Sequence, residues 1–533
     1  MSEPFDPFDA DLAIAREAAW SAVEKHGREQ GKRRIDSLFA NNPERFAQFS
    51  RRIEGVFVDM SRSRLSETSL DLLEQLVEAA GVAPAREALF SGGRVNATEN
   101  RAALHTELRN PKAGIEFATS LATMQAMAAD IRGRERLGVT GKPLKTLVHL
   151  GIGGSELGPR AVVSALAGAQ ADPRVHFVGN MDGHEIAGTL AELDPETTHF
   201  TLASKSFGTE ETLTNGATAR DWLERRFGAA WNRQMIAITA SRERARAFGF
   251  DDDGILPIPE SVGGRFSLWS AVGLPIAVAI GMNGFRALID GAHAMDEHFR
   301  SAPFRENLPL MLGTLDAWTG SIEDIDARAI IAYDARLRHV PPHLQQLEME
   351  SLGKRVGNDG LPVNRHTAPI VFGGVGSDAQ HGFFQALHQG TRRFTVEFIG
   401  CARPGHDLPV HHERQLANLI AQGEALMRGY DGGKDKRLAS HRALGGDHPS
   451  TTILLDELSP RTLGMLLALY EHRVFVAGVL WGINPFDQWG VERGKKLAGD
   501  IERALMGYND SRDERDQSSA GLIDHLRGFK DRG

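Results

Sequence analysis

Residues 147–159 read Leu-Val-His-Leu-Gly-Ile-Gly-Gly-Ser-Glu-Leu-Gly-Pro, and no other stretch constrains the fold as tightly. The apolar run 147–150 predicts a short buried parallel strand. Three glycines and a serine follow within five residues. Residues 157–166 then have the pattern of a helix. A strand, a glycine-rich turn and a helix in that order aim backbone N–H groups at a bound anion, so the first expectation is a phosphate cradle. A dinucleotide fingerprint fails here, because Glu156 stands at its third glycine and would repel a pyrophosphate. The next strand ends in Gly179-Asn180 with no acidic residue for a ribose. No Gly-Lys-Ser/Thr follows, so the turn is not a P-loop. On these residues alone, a tight packing turn and a phosphate cradle are equally open.

The pattern around this stretch alternates. Residues 175–178, 198–203 and 235–239 read as strands, with helical segments such as 117–131 and 214–227 around and between them. Alternation of this kind predicts a doubly wound parallel sheet, which binds ligands at the carboxyl ends of its strands. Ser155 and Ser204 both fall just past such an end. A second α/β unit begins after Gly281, with strands expected at 329–333, 369–372, 395–399 and 452–455. No clean sequence repeat relates the two units. Residues 1–115 read as mainly helical, interrupted by one strand-like run at 56–60. Ser459-Pro460 is a helix start with a serine cap and proline in the first turn. The expected domains are therefore 1–115, 116–280, 281–505 and a polar, solvated arm over 506–533.

A chain of 533 residues is too long for a single core. Its formal net charge of −9 argues against a nucleic-acid or acidic-membrane binder, so positive potential for an anion must be concentrated in a cleft. Cys401 is the only cysteine, which excludes an intrachain disulfide framework and thiolate-rich metal sites and fits a reducing cytoplasm. The acidic start carries no signal-peptide pattern. Of the long apolar runs, 271–280 is too short to span a bilayer and 463–483 is interrupted by Glu471, His472 and Arg473. Both read as buried core helices.

Several short clusters carry chemistry, and each has an ordinary reading beside it. Ser204-Lys205-Ser206-Phe207-Gly208-Thr209 places hydroxyls and an ammonium just after a strand, which suits phosphate oxygens. Such clusters are common in loops, but two of them after neighbouring strands favour the phosphate. Gly263-Gly264-Arg265 allows close backbone approach and supplies a fixed cation, although a lone arginine usually serves a surface ion pair. In Gln345-Gln346-Leu347-Glu348-Met349-Glu350 a carboxylate near a sugar would be a general base. Most glutamates are simply solvated. Gln380-His381 offers a proton shuttle in a chain with 20 histidines. His406-Asp407 and His411-His412-Glu413 match no zinc spacing, and Pro409 separates them, so they read as a loop and helix start. In Phe486-Asp487-Gln488-Trp489-Gly490-Val491-Glu492-Arg493-Gly494-Lys495-Lys496, Gln488 and Lys495 would share one helix face.

Taken together these segments, with Asn96-x-Thr98-Glu99-x-Arg101-x-x-Leu104-His105 and Phe266-Ser267-Leu268-Trp269-Ser270, resemble the glucose-6-phosphate isomerase (phosphoglucose isomerase) family. The match runs over about residues 55–500 in the family's order. The resemblance implies two sugar-isomerase (SIS-type) α/β domains, with the N-terminal helices and C-terminal arm on the larger one. It also implies a homodimer whose active site borrows a histidine from the other subunit. The implied reaction is the reversible conversion of glucose 6-phosphate to fructose 6-phosphate in glycolysis and gluconeogenesis, through a cis-enediol, with no metal and no organic cofactor. By position, Gly154, Ser155, Ser204, Lys205, Ser206 and Thr209 match the phosphate binders. Glu350 matches the base that moves a proton between C2 and C1. Gln346 and Gln488 match sugar-facing amides, and Gly264 with Arg265 matches the site of the cation that steadies the enediolate. His381 and Lys495 match the ring-opening pair, and Glu211 matches the carboxylate that orients the histidine.

Departures are local. Gly208 stands where many members have threonine, Glu210 where many have glutamine, Leu352 where asparagine is common, and Ala379 where glycine precedes Gln380-His381. A non-catalytic phosphosugar sensor would lack Glu350, His381 or Lys495, or would add a DNA-binding domain. A metal-dependent isomerase would need a carboxylate and histidine site that this sequence does not offer.

Overall fold

The computed structural model describes residues 5–168, 171–508 and 515–530. Among the described residues, eleven strands form two sheets. In chain order they are β1 Ser50–Ile53, β2 Val56–Asp59, β3 Thr146–Leu150, β4 Arg174–Val178, β5 Thr198–Ala203, β6 Met235–Thr239, β7 Ile255–Pro257, β8 Ala327–Tyr333, β9 Ile370–Val375, β10 Thr395–Cys401 and β11 Ser450–Leu455. The first sheet has the order β4-β3-β5-β6-β7 and is parallel throughout. The second has the order β1-β2-β11-β10-β8-β9; its last four strands are parallel, and β2 joins β11 antiparallel.

The first sheet follows from its residues. β5 and β6 are buried along their whole length, as continuous apolar runs in a two-sided parallel sheet must be. β3 leads through the Leu157–Leu166 helix to β4 on one side, and the chain then returns to place β5 on the other. The strand order therefore reverses at β3, and the crevice of a doubly wound sheet opens at such a reversal, outside the carboxyl ends. The loops at Ser155 and Ser204 leave the two strands that flank it.

The structure adds what periodicity did not supply. β1 was missed because Ser-Arg-Arg-Ile has no apolar alternation; it pairs with β2 as a hairpin on the second sheet. β7 is three residues ending in Pro257 at a sheet edge, where a missing N–H costs little. The Pro460–Trp481 helix starts as expected, with Ser459 in a reciprocal capping box with Thr462, and it stops at left-handed Gly482. The Leu274–Ser301 helix breaks at Gly281, φ 76°. It packs against the Pro460–Trp481, Ile115–Arg132 and Leu157–Leu166 helices. Two helical segments, Ala271–Ser301 and Pro460–Trp481, are long and apolar enough to cross a membrane by composition, yet both lie largely inside the protein.

The charges that interrupt the second of these helices are buried. Arg473 holds Asp316 with two bonds of 2.7 Å and Glu397 with one of 2.6 Å. Arg328, on β8, pairs with the same Asp316 and with Glu348. Arg109 meets Asp296 and Glu471, and His472 meets Asp296 at 2.6 Å. Buried charges persist only when paired in this way.

The chain divides into two compact units, Met1–Pro485 and Phe486–Gly533. The second holds the helices Trp489–Leu505 and Gln517–Lys530. The expected solvated arm is helical from Gln517, and its residues 510–514 lie outside the described residues.

Replacing Arg473 by Met leaves Asp316 and Glu397 without their guanidinium. Urea unfolding is expected to show a loss of about 3–5 kcal/mol. A variant as stable as the parent overturns the view that this network carries the core.

Candidate active site

The glycine turn after β3 is a single 3-10 turn, Gly153–Ser155. It uses the Ser155 and Glu156 N–H groups on the carbonyls of Ile152 and Gly153, at 3.2 and 2.9 Å. What it presents is the Ser155 hydroxyl, which makes no hydrogen bond within the described chain. Closing the turn thus takes up the Ser155 and Glu156 amides of the expected cradle. The glycines serve close approach. A Cβ on Gly154 would overlap the Gly264 peptide, and one on Gly153, whose φ is 59°, would come 3.0 Å from Gln346 Nε2. The turn is thus wedged between the Gly264-Arg265 segment and the helix that carries Gln346.

His149, in the middle of β3, is a site-supporting residue that the sequence did not reveal. Its Nε2 donates to the Ser155 carbonyl at 2.7 Å, and its Nδ1 meets Thr201 Oγ1 at 2.7 Å. A carbonyl only accepts, so Nε2 carries the proton and Nδ1 accepts from the threonine. Burial pushes this imidazole down to about 4, which keeps it neutral. Its only sequence signal was a histidine inside an otherwise apolar strand. Glu156 turns its carboxylate toward Gly179 after β4 and pairs with Arg160 at 2.7 Å.

The second loop is built from its aromatic residue outward. Phe207 adopts φ 47°, and its ring is buried against Phe248 and Phe250. The turn leaves Ser204 Oγ 3.0 Å from Thr209 Oγ1. Thr209 occupies the N-cap of the Glu210–Phe227 helix, but its side chain makes no capping bond. Its hydroxyl faces the loop instead. The Ser206 hydroxyl is exposed. The Lys205 ammonium reaches sideways and donates to the carbonyls of Glu260 and Val262 at 2.6 and 2.8 Å. Arg101 also donates to Glu260, and Glu99 binds Arg101 at 2.5 Å. Burial pushes the Lys205 ammonium down to about 8; Arg101 pushes the same way, and Glu99 and Glu260 oppose it.

Arg265, in the Gly264–Trp269 3-10 segment, is almost fully buried. Its Nη1 donates to Glu350 Oε1 at 2.9 Å, its Nε to Ser351 Oγ at 2.6 Å, and its Nη2 to the Pro485 carbonyl at 2.6 Å. Gln346, one turn before Glu350 on the Val340–Leu352 helix, donates to Glu350 Oε2 at 2.9 Å. Both carboxylate oxygens are therefore oriented. The side chain keeps about a fifth of its surface exposed, enough to meet a ligand. Asn484, next to Pro485, donates to Asn96 and Thr98 at 2.8 Å each. The 96–101 turn thereby braces both the Arg265 acceptor and the 260–262 carbonyls that hold Lys205.

The structure thus joins Glu350, Arg265, Gln346, Gly154 and Gly264 in one cluster. Ser204, Ser206, Thr209 and Lys205 share the loop after β5, the strand beside β3. It does not join Glu211 or His381 to them. Glu211 is half-buried in the first turn of its helix. His381 is exposed on the short Gly376–Gly382 helix, and neither residue makes a hydrogen bond or ion pair among the described residues. Gln488 and Lys495 belong to the second unit. Gln488 precedes its helix with φ −151°, so it does not share a helix face with Lys495 as expected. Lys495 meets Glu492 at 3.2 Å in solvent. His412 Nε2 bonds the Ala402 carbonyl, and Pro409 opens the Pro409–Arg428 helix, so this cluster is a loop and helix start.

Residues 59–523 match the phosphoglucose isomerase family. A glucose-6-phosphate isomerase of Chelativorans sp. is 44% identical, with 96% of this chain and 99% of that protein aligned. One of Deinococcus radiodurans is 42% identical over 96% and 98%. A crystal structure of a glucose-6-phosphate isomerase from Chlamydia trachomatis superposes with a TM-score of 0.84 at 30% identity, covering 96% of this chain and 98% of that one.

Lys205 gives the site a pH signature. Its pKa of about 8 means that its charge is present near neutrality and lost as pH rises through that value. Inorganic phosphate does not lose charge over this range, so a weakening traces to the protein. Phosphate binding measured by calorimetry is expected to weaken several-fold between about pH 7 and about pH 9. Affinity that holds or grows across the interval removes Lys205 from anion binding.

Proposed function

The chain belongs to the phosphoglucose isomerase family, and from that premise we propose how its residues carry the reversible isomerisation of D-glucose 6-phosphate to D-fructose 6-phosphate. The observation that carries the reading is the Glu350 carboxylate, held by Arg265 on one oxygen and Gln346 on the other, beside the glycine turn. Ser155, Ser204, Ser206 and Thr209 offer hydroxyls to the phosphate, with Lys205 adding charge. Anchoring at that end orients the reacting carbons at the other.

In the open-chain aldose, Glu350 takes the C2 proton. The C–H electrons form the C1–C2 double bond, and O1 takes up negative charge. Arg265 offsets that charge. The carboxyl proton then returns to C1 while the O2 proton passes to O1, so that O1 ends as a hydroxyl and O2 as the ketone oxygen. Gln346 and Gln488 fix the sugar hydroxyls. Ring opening falls to His381 and Lys495, with Glu211 orienting the histidine. Among the described residues the exposed His381 side chain makes no hydrogen bond or ion pair, which fits its donation to the site of a second copy in a homodimer. Trp489, Leu522 and Phe529 on the second unit are exposed, which supports an arm that docks on that copy.

We read the first sheet with its helices as one sugar-isomerase domain over 116–280, and β8 to β11 with their helices as a second over 281–505, to whose sheet the N-terminal region adds β1 and β2. Residues 1–115 and 506–533 then belong to the larger assembly. The net charge of −9 favours a small phosphosugar over nucleic acid or a membrane surface. A buried free thiol at Cys401 suits a reducing cytoplasm.

Glu350→Gln keeps an oxygen and an amide in place and removes the base. In a coupled assay on glucose 6-phosphate its turnover is expected to drop by about 10²–10⁴-fold, with phosphosugar still bound by calorimetry; near-normal turnover sinks the assignment. A carboxylate that shuttles the proton also exchanges some of it with water. Substrate deuterated at C2 is therefore expected to lose part of its label to solvent, and complete retention under all conditions favours a hydride shift.

A further inference from the structure

The short helix Arg242–Phe248, which follows β6, carries three arginines in different circumstances. Arg246 pairs with Asp252 through Nε and Nη2, at 2.8 and 3.0 Å. Arg242 stands 3.9 Å from the same carboxylate. Arg244, between them in sequence, has no carboxylate partner among the described residues. Its Nη1 donates to the Ser206 carbonyl at 3.0 Å, inside the loop assigned to the phosphate. Its remaining N–H groups make no hydrogen bond within the described chain.

Two features tie Arg244 to that loop. A Cβ built on Gly208 would come 2.8 Å from Arg244 Nη1, so the guanidinium stands where a side chain at 208 would begin. The Phe207 ring lies against Phe248, the last residue of the arginine's helix, at 5.9 Å and edge-on. The loop and the helix are thereby joined at Ser206 and at Phe207, just before Gly208. Lys205 lies within this loop with Arg101, Glu99 and Glu260 acting on it, Glu210 and Glu211 stand in the first turn of the following helix, and Arg244 reaches the loop from the helix after β6. Lys205 is turned to the Glu260 and Val262 carbonyls. Arg244 is the guanidinium beside the exposed Ser206 hydroxyl.

We propose that Arg244 is a specificity-determining residue of this anion site: its guanidinium, admitted by Gly208, contacts the phosphate monoester held by the Ser204, Ser206 and Thr209 hydroxyls. The proposal rests on the phosphosugar reading. It gives Gly208 a role, since a side chain there would require the Arg244 guanidinium to move from its place beside Ser206. A planar guanidinium with free donors matches phosphate oxygens. Because the residue is exposed, its contribution is moderate and falls with added salt.

The test compares the unmodified chain with Arg244→Ala, Arg244→Lys and Arg246→Ala. It reads inorganic phosphate binding by calorimetry at low and high salt, and KM and kcat on glucose 6-phosphate. Arg244→Ala is expected to weaken phosphate binding and raise KM by ~5–10-fold at low salt, as for one partly exposed charge-assisted contact, with kcat within about twofold. Arg244→Lys recovers part of the affinity, and the loss shrinks in high salt. Arg246→Ala, which removes a charge of the same sign from the same helix, leaves both constants as they were. Unchanged phosphate binding in Arg244→Ala overturns the proposal, as does an equal loss in Arg246→Ala. If the unmodified chain fails to isomerise the sugar but its phosphate affinity still depends on Arg244, the functional reading falls and the Arg244 assignment stands.

Discussion

The Arg265 guanidinium carries a full charge where water reaches almost none of its surface, and a charge so placed persists only when its donors are met by fixed acceptors. The acceptors come from two distant segments: Glu350 and Ser351 at the end of one helix, and the Pro485 carbonyl after another. Moving either segment leaves an unpaired charge in a dry place. The arginine itself stands in a tight 3-10 segment that admits the Gly153–Ser155 turn only because Gly154 has no side chain. One buried cation therefore sets the relation between Glu350, the glycine turn and the chain that leads up to Pro485.

A second layer of buried charge holds the Glu350 helix from behind. Glu348 and Glu350 are two residues apart, so about 200° of helix rotation separates them. Glu348 faces inward to Arg328, while Glu350 faces Arg265. Arg328 is bound in turn to Asp316, and Asp316 to Arg473. Networks of this kind add little net stability over a well-packed apolar core, but they tolerate few alternative arrangements. The Glu350 helix is thus fixed in rotation as well as position, and the proposed transfer from one particular C–H bond needs both.

What the sequence made legible was the part governed by local rules. β5 and β6 have the expected bounds, because continuous burial leaves a continuous apolar run. Ser459 caps its helix, because capping needs only the neighbouring residues. β1 and the role of His149 were not legible, since each depends on partners far away in the chain. Glu471, His472 and Arg473 looked like interruptions of an apolar helix; their meaning lies in Asp296, Asp316, Glu397 and Arg109, which no local window contains. At the site the residue types were readable, but their division of labour was not. The glycine turn spends its Ser155 and Glu156 amides on its own closure and presents the Ser155 hydroxyl, a division that residue types alone do not show. Lys205 looked like a free charge and is a tie to the 260–262 carbonyls. His381 and Glu211 are not joined to the cluster in a single chain.

The pairing of Glu350 with Arg265 poses a question of its own, because a cation beside a base ordinarily weakens it. The proposed reaction resolves this through where the charge goes. When Glu350 accepts the C2 proton its negative charge disappears, and an equal charge develops on the substrate oxygen at C1. A guanidinium within reach of both sites faces one negative charge before the transfer and one after it. Its own position does not have to change, because Ser351 and Pro485 hold the other two donor directions. Gln346 is neutral and orients the second carboxylate oxygen without adding to the charge. The surroundings are then arranged for the intermediate before it forms, which is the condition under which fixed dipoles and charges lower a barrier most.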